Sequence, residues 1–236
     1  MKAFVPKVIS ALFVAMSLIS CLPDREYLYT DTGMCTRIGF DRLQTDAGAI
    51  YNITENDSGA NIPDSVKRVM ISCDVTSEVP GKTNEYNIRL IDFRSALCKE
   101  PVIASFTPVD TLGTDGIRVA QAWVSGGYLN SFLYVTMKRN SDTAHSINVL
   151  FDDIKSNSDT LYLTMRHNAY GESPENPEQD LNYLVLAGVY ASFPLNGVMP
   201  VGGSSPIVHL EWDWYIEDGA SITREKATQS GNLKVE

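Results

Sequence analysis

Between positions 67 and 79 the chain reads "KRVMISCDVTSEV", with apolar residues at every second position. Val69, Ile71, Cys73 and Val75 share one face; Arg68, Met70, Ser72 and Asp74 share the other. Alternation with period two marks a strand half-buried against a core. The same rhythm recurs on either side. "TRIGFDRLQTD" sets Ile38 and Phe40 on one face, "AIYNIT" returns after the turn at Ala47-Gly48, and "NEYNIRLIDFRSAL" follows Pro80-Gly81. "ENDSGANIPDSV" is a loop with room for one helical turn. Four or five strands therefore fill residues 29–98, a count that suits a small closed or partly open barrel, which hides its strand edges.

Residues 99–114 contain Pro101, Pro108 and Gly113 and read as a linker with an extended crossing segment. Residues 115–236 return to a β rhythm. Strands are predicted over 117–124, 128–138, 145–151, 160–167, 181–192, 207–216 and 232–236. Turns fall at Gly126-Gly127, Asn140-Ser141-Asp142, Asn157-Ser158-Asp159 and Gly202-Gly203. About seven short strands separated by turn signals form the pattern of a β-sandwich. Trp212 and Trp214, with Trp123, are expected in its core. The sequence carries neither a repeat of 20–50 residues nor a long amphipathic helical pattern. The fold class is all-β, in two separately folding parts.

The amino terminus changes the picture of location. Lys2 and Lys7 precede an apolar run from Val8 to Ile19, too short to span a bilayer as a helix. Leu18-Ile19-Ser20-Cys21 resembles a bacterial lipobox. Residues 1–20 are then a lipoprotein signal peptide, Cys21 the lipidated terminus and residues 21–28 a tether. Acyl chains contribute about 0.8 kcal/mol per buried CH₂, so a triacylated terminus is a stable anchor. The partner this implies is the membrane itself, with the outer membrane as location. Removal of residues 1–20 leaves 216 of the 236 residues and, with Lys2 and Lys7 gone, takes the formal charge from −10 to −12. So acidic a body argues against nucleic acid as a partner.

With Cys21 lipidated, three cysteines remain. In an oxidising compartment they give one disulfide and one free thiol. Cys35 opens the first long strand and Cys98 closes the last strand of the barrel, so these two are expected to pair, with Cys73 buried as a thiol.

Chemistry-bearing motifs are sparse. The stretch "RHNAYGESPENP" at 166–177 puts an arginine beside a histidine, but on a strand Thr164, Arg166 and Asn168 face away from Met165 and His167. It is expected to be a strand end and a structured loop, with Arg166 or Asn168 bonding loop carbonyls and Tyr170 packed as a lid. If the loop binds a ligand, Arg166, Asn168 and Tyr170 are the contact residues. His209, Glu211 and Asp213 share a face in "VHLEWDWYIED", yet alternate strand residues stand about 6.6 Å apart, too far for three donors to reach one zinc ion at about 2.0–2.2 Å. This face is expected to be solvated. The acidic loops "NAYGESPENPEQD" and "ENDSGANIPD" do not match an EF-hand spacing, and Asp152-Asp153 diverge if extended. His145, His167 and His209 fall on three different predicted strands. The sequence lacks a Gly-x-Ser-x-Gly elbow, a His-Glu-x-x-His pair and a phosphate-binding loop. Catalytic residues, metal and cofactor are accordingly expected to be none. Tyr128, Tyr134, Tyr162 and Tyr170 read as ordinary strand and loop tyrosines, with a carbohydrate platform as the other reading.

The lipobox, the barrel-like first part, "AWVSGGYLNSFLYV", "LTMRHNAYGESP" and a closing strand resemble the NigD-like lipoproteins. The resemblance spans nearly the whole mature chain and is strongest from Ala122 to Pro174, where "W-V-x-x-x-Y-L-N" and "R-H-N-A-Y-G-E-S-P" stand. It implies a small OB-like barrel at 29–98 followed by an Ig-like β-sandwich at 115–236. It brings no catalytic residues. The expected function is that of a non-catalytic, lipid-anchored cell-envelope protein, a binding or scaffolding module for a glycan, peptide or partner protein. The alternatives are an accessory or immunity-like component of a bacteriocin or export system, and an envelope hydrolase with an unfamiliar site.

Overall fold

A computed structural model describes residues 26–200, 206–218 and 221–235. The expected signal peptide, the expected lipidation site Cys21 and the expected Gly202-Gly203 turn lie outside the described residues.

Five strands build the first half: β1 (Tyr29–Gly39), β2 (Arg42–Thr45), β3 (Ile50–Asn56), β4 (Arg68–Glu78) and β5 (Glu85–Cys98). Their pairings close a ring in the order β1-β2-β3-β5-β4-β1, with β3–β5 parallel and the rest antiparallel. This is the small closed barrel that the alternation called for, in the place where the family resemblance implies an OB-like one. Val69, Ile71, Cys73 and Val75 point inward together and are buried, as expected, with Cys35, Leu43, Ile88 and Leu90 around them. Full burial of such side chains contributes about 1.5–3 kcal/mol each. Ile38 and Phe40 share a face of the chain at β1, and that face is the outer one. The inward face of β1 carries Gly33 and Cys35. The hydrophobic pattern of β1 is too weak to fix its parity, and pairing with β4, Cys35 opposite Val69, decides it.

The second half contains β6 (Val102–Ile103), β7 (Ile117–Ser125), β8 (Tyr128–Lys138), β9 (Ser146–Phe151), β10 (Thr160–Asn168), β11 (Leu184–Pro194), β12 (Ile207–Asp218) and β13 (Ser221–Leu233). One layer is β11-β8-β7; the other is β13-β12-β10-β9-β6. Leu129, Leu133, Val149, Leu161, Leu163, Phe193, Val208 and Leu210 fill the space between them. The segment 99–114, expected as a linker, adds β6 to the edge of the second layer and forms two 3-10 turns at 104–106 and 109–112. β13 is far longer than the 232–236 expected. "SITREKATQSGNL" shows little apolar alternation because it is an edge strand, held by backbone pairing to β12.

β5 and β11 join the two halves by a short parallel pairing from Tyr190↔Ala96 to Ser192↔Cys98, so the barrel wall runs on into one sandwich layer. The expected Cys35–Cys98 bridge is not formed. Cys35, Cys73 and Cys98 are all free thiols. β4 lies between β1 and β5, Cys35 is in line with Val69 and Ser95, and two strand spacings already exceed about 9 Å, beyond the reach of a disulfide. Burial pushes the Cys73 thiol up to about 12, which suits an inert core residue.

Candidate functional site

The two motifs singled out in the sequence fold into two distinct polar constructions. The first is the junction of barrel and sandwich. Arg68 points out of the barrel and is fully buried there. Its Nη1 and Nη2 donate to the two carboxylate oxygens of Asp46 at 2.6 and 2.9 Å. Nη1 also donates to Thr36 Oγ1 at 2.9 Å, Nη2 to Asn130 Oδ1 at 2.9 Å, and the guanidinium lies 4.1 Å from the centre of the Tyr128 ring. Asp46 further accepts from Ser125 Oγ at 2.7 Å and Asn130 Nδ2 at 3.1 Å, while Ser192 Oγ donates to Asn130 Oδ1 at 2.7 Å. A buried guanidinium is tolerable only when its donors are satisfied, and a bidentate carboxylate does this best. Ser125, Tyr128 and Asn130 of "W-V-x-x-x-Y-L-N" thus dock the sandwich on the barrel. Trp123 does not join the sandwich core as expected; it lines a cleft beside this junction. Trp214 is buried and Trp212 packs against the core.

The second construction is the loop after β10. His167 faces inward as its parity requires and is fully buried. Its Nδ1 lies 3.1 Å from the Gly116 carbonyl and its Nε2 lies 3.0 Å from His145 Nδ1. The sequence had assigned these histidines to separate strands with no shared role; the β9–β10 pairing, His167 opposite Ile147, brings them together. Glu172 completes the group. It accepts from Ser141 Oγ at 2.5 Å and Lys138 N at 3.2 Å, and its Oε2 lies 3.5 Å from His145 Nε2. The hydrogen bonds to Glu172 outweigh burial, so its carboxyl is held below the usual range. The carboxylate faces the far nitrogen of His145, so the three groups do not converge on one point. Among the described residues there is no cluster of three His, Cys, Asp or Glu side chains able to hold a metal.

The three residues expected to make contacts separate. Arg166 is half-buried and its Nε lacks a hydrogen-bond partner. Asn168 accepts from the Tyr170 backbone N–H at 2.9 Å, a local turn and not a bond to distant loop carbonyls. Tyr170 is not a packed lid: it is 60% exposed. Its backbone sits in the left-handed region at φ 50°, beside Gly171 at φ 88°, an arrangement a bulky residue adopts only when its surroundings impose it. Those surroundings are visible. Arg224 of β13 donates to the carbonyls of Pro174, Asn176 and Gln179, the role expected of Arg166 or Asn168. Asp115 Oδ2 accepts from Ala169 N at 2.7 Å, and Lys226 pairs with Glu175 at 2.8 Å. Sequence reading missed Arg224 because its strand shows no apolar pattern.

The remaining chemistry-bearing groups each make hydrogen bonds within their own part of the fold. His209 lies between Asn232 and Glu211, and Asp213 accepts from Thr228. Asp152 caps the turn at Ile154 and Lys155, whereas Asp153 holds Ser105 of the first 3-10 turn.

The chain is similar to three solved structures of Bacteroides and Parabacteroides proteins over most of their lengths. A NigD-like immunity protein of Bacteroides caccae is 18% identical, with 84% of this chain and 91% of that one covered and a TM-score of 0.55. A candidate toxin-related protein of Parabacteroides distasonis is 19% identical, covered over 87% and 93%, with a TM-score of 0.61. A candidate lipoprotein of Bacteroides fragilis is 13% identical, covered over 88% and 98%, with a TM-score of 0.60. At these identities the likeness is one of fold. No curated protein matches the chain. The model of the NigD-like C-terminal beta sandwich domain matches residues 102–224, more than half of the chain, from β6 through the loop of Tyr170 to Arg224. The chain therefore belongs to the NigD-like family.

Proposed function

We propose that this protein is a non-catalytic, lipid-anchored component of the outer membrane that recognises a partner protein through the loop at 168–180. Cys21 is the anchor, residues 21–28 the tether, the barrel at 29–98 a spacer, residues 99–114 the crossing, and the sandwich at 115–236 the recognition unit. The observation that carries the reading is Tyr170. It is a large exposed aromatic, held in a backbone conformation that costs of order 1–3 kcal/mol, on a loop pinned by Arg224, Asp115 and Glu172. A preformed aromatic anchor loses little entropy on binding. The polar groups that could serve an enzyme are engaged elsewhere: His145 and His167 with each other, Glu172 with Ser141 and Lys138, His209 with Asn232 and Glu211. The second reading, an accessory or immunity-like part of a bacteriocin system, draws on the likeness to the B. caccae protein.

Three experiments test the reading. A photo-crosslinking amino acid at position 170, introduced in the native envelope, should capture a discrete partner. Tyr170→Ala should weaken that association by more than about 1 kcal/mol, the size of an aromatic anchor. Labelled fatty acid should be incorporated by the native chain and not by Cys21→Ala. Absence of any crosslink at 170, or unchanged association in Tyr170→Ala, overturns the recognition role; labelling of Cys21→Ala overturns the anchor.

A further inference from the structure

A cleft of about 650 Å³ opens at the barrel mouth, between the start of β1, the β2–β3 turn and β7. Its walls come from both halves of the chain: Tyr29, Asp31 and Gly33 from β1, Tyr51 from β3, Tyr86 from β5 and Trp123 from β7. Volumes of this size are typical of small-molecule sites.

Gly33 shows that the space is built in. It occupies an inward position on β1, in line with Asp31 and Cys35. Its backbone is not left-handed, so conformation does not demand glycine. A Cβ placed there meets no atom within 4 Å. Inward strand positions ordinarily carry a side chain that fills the interior to crystal-like density; here the side chain is missing and the room remains.

The groups around that room define the ligand. Asp31 accepts from the Tyr51 hydroxyl at 2.5 Å and from Thr32 N at 2.8 Å. A carboxylate has about four acceptor sites, so about two stay open toward the cleft. Burial, and then the neighbouring Asp31, raises the Tyr51 pKa, so its hydroxyl keeps its proton. Tyr29 is 44% exposed, and Tyr86 and Trp123 are partly exposed. Lys, Arg and His are absent from the described lining, and the nearby Arg68 is committed to Asp46. A phosphate, sulfate or carboxylate would therefore meet Asp31 without a compensating cation. Flat rings beside an open hydroxyl acceptor match a molecule with C–H faces and O–H edges.

We propose that this cleft binds an uncharged sugar ring of a glycan, with Tyr29 and Trp123 as stacking surfaces and Asp31 as acceptor for its hydroxyls. The site is separate from the Tyr170 loop. Its test is an array of neutral oligosaccharides (glucans, mannans, galactans and N-acetylglucosamine chains) beside sialylated and sulfated ones, probed with the full chain in detergent. Calorimetry then measures the strongest responder, with choline as an organic-cation control. Neutral glycans should bind and acidic ones should not. Gly33→Leu, which occupies open space, should weaken binding at least tenfold while leaving the thermal melt unchanged, and Trp123→Ala should weaken it similarly. Tyr170→Ala should have no effect, which separates this site from the recognition loop. If no neutral glycan binds, if Gly33→Leu and Trp123→Ala bind as the native chain does, or if choline binds in place of sugars, the proposal is overturned.

Discussion

His145 Nδ1 lies 3.0 Å from Nε2 of His167, and one hydrogen serves both nitrogens. The Gly116 carbonyl can only accept, so His167 carries its own hydrogen on Nδ1 and receives the shared one from His145. This needs a neutral His167. Burial, and then the nearby His145, depresses its pKa to about 4, against the ordinary 6.5.

The pH dependence of stability follows. The unfolded chain takes up a proton at His167 below pH 6.5, whereas the folded chain resists it until about pH 4. The stabilisation is complete above pH 6.5 and is lost as the pH falls toward 4, by roughly 2–3 kcal/mol. Glu172, lowered in the fold, adds a loss of the same sign as the pH falls through its own folded pKa. Urea denaturation at pH 7.5, 5.5 and 4.5 should show a falling midpoint. His167→Phe should flatten the upper part of that fall.

Arg68 should be the most sensitive polar position. Arg68→Ala leaves the Asp46 carboxylate beside Asn130 without its cation and opens the seam between barrel and sandwich. Breaking a buried pair in this way costs about 3–5 kcal/mol. Urea denaturation should show the loss, and Asp46→Ala should show a loss of similar size. In the double variant the two losses should add to less than their sum, because each single change breaks the same bonds.

Arg224 is exposed but carries the loop. Arg224→Ala removes the donor to three carbonyls and should free residues 169–180. Limited proteolysis should cut the variant there well before the native chain, with a small change in the thermal melt. Cleavage first within β8, at residues 128–138, would contradict the strand pairing found here.

The thiols offer a chemical check. Denatured without reductant, Cys35, Cys73 and Cys98 should each titrate as a free thiol. In the folded protein Cys98, which is partly exposed, should react first, with Cys35 and Cys73 protected by burial. A mass lower by two hydrogens would indicate a bridge.

Much of the fold is legible in the chain. The alternation of Val69, Ile71, Cys73 and Val75 decides which face of β4 is buried, and Gly126-Gly127 and Lys138 bound β8 as read, because side-chain parity and turn chemistry act between near neighbours. The inward orientation of His167 follows from the same parity. What the sequence could not decide is which surfaces meet. Arg68 looks like an outward, solvated residue of β4, yet it is buried because Asn130, 62 positions away, and Ser192, 124 away, close over it. His145 meets His167 only through β9–β10 register, Arg224 reaches the Tyr170 loop from a strand with no apolar rhythm, and the cleft at Gly33 exists only where β1 faces β7. Periodicity reports the face a residue takes on its own strand. The partner across the gap is set by register and docking, through contacts whose loop-closure cost and hydrogen-bond satisfaction are properties of the whole fold.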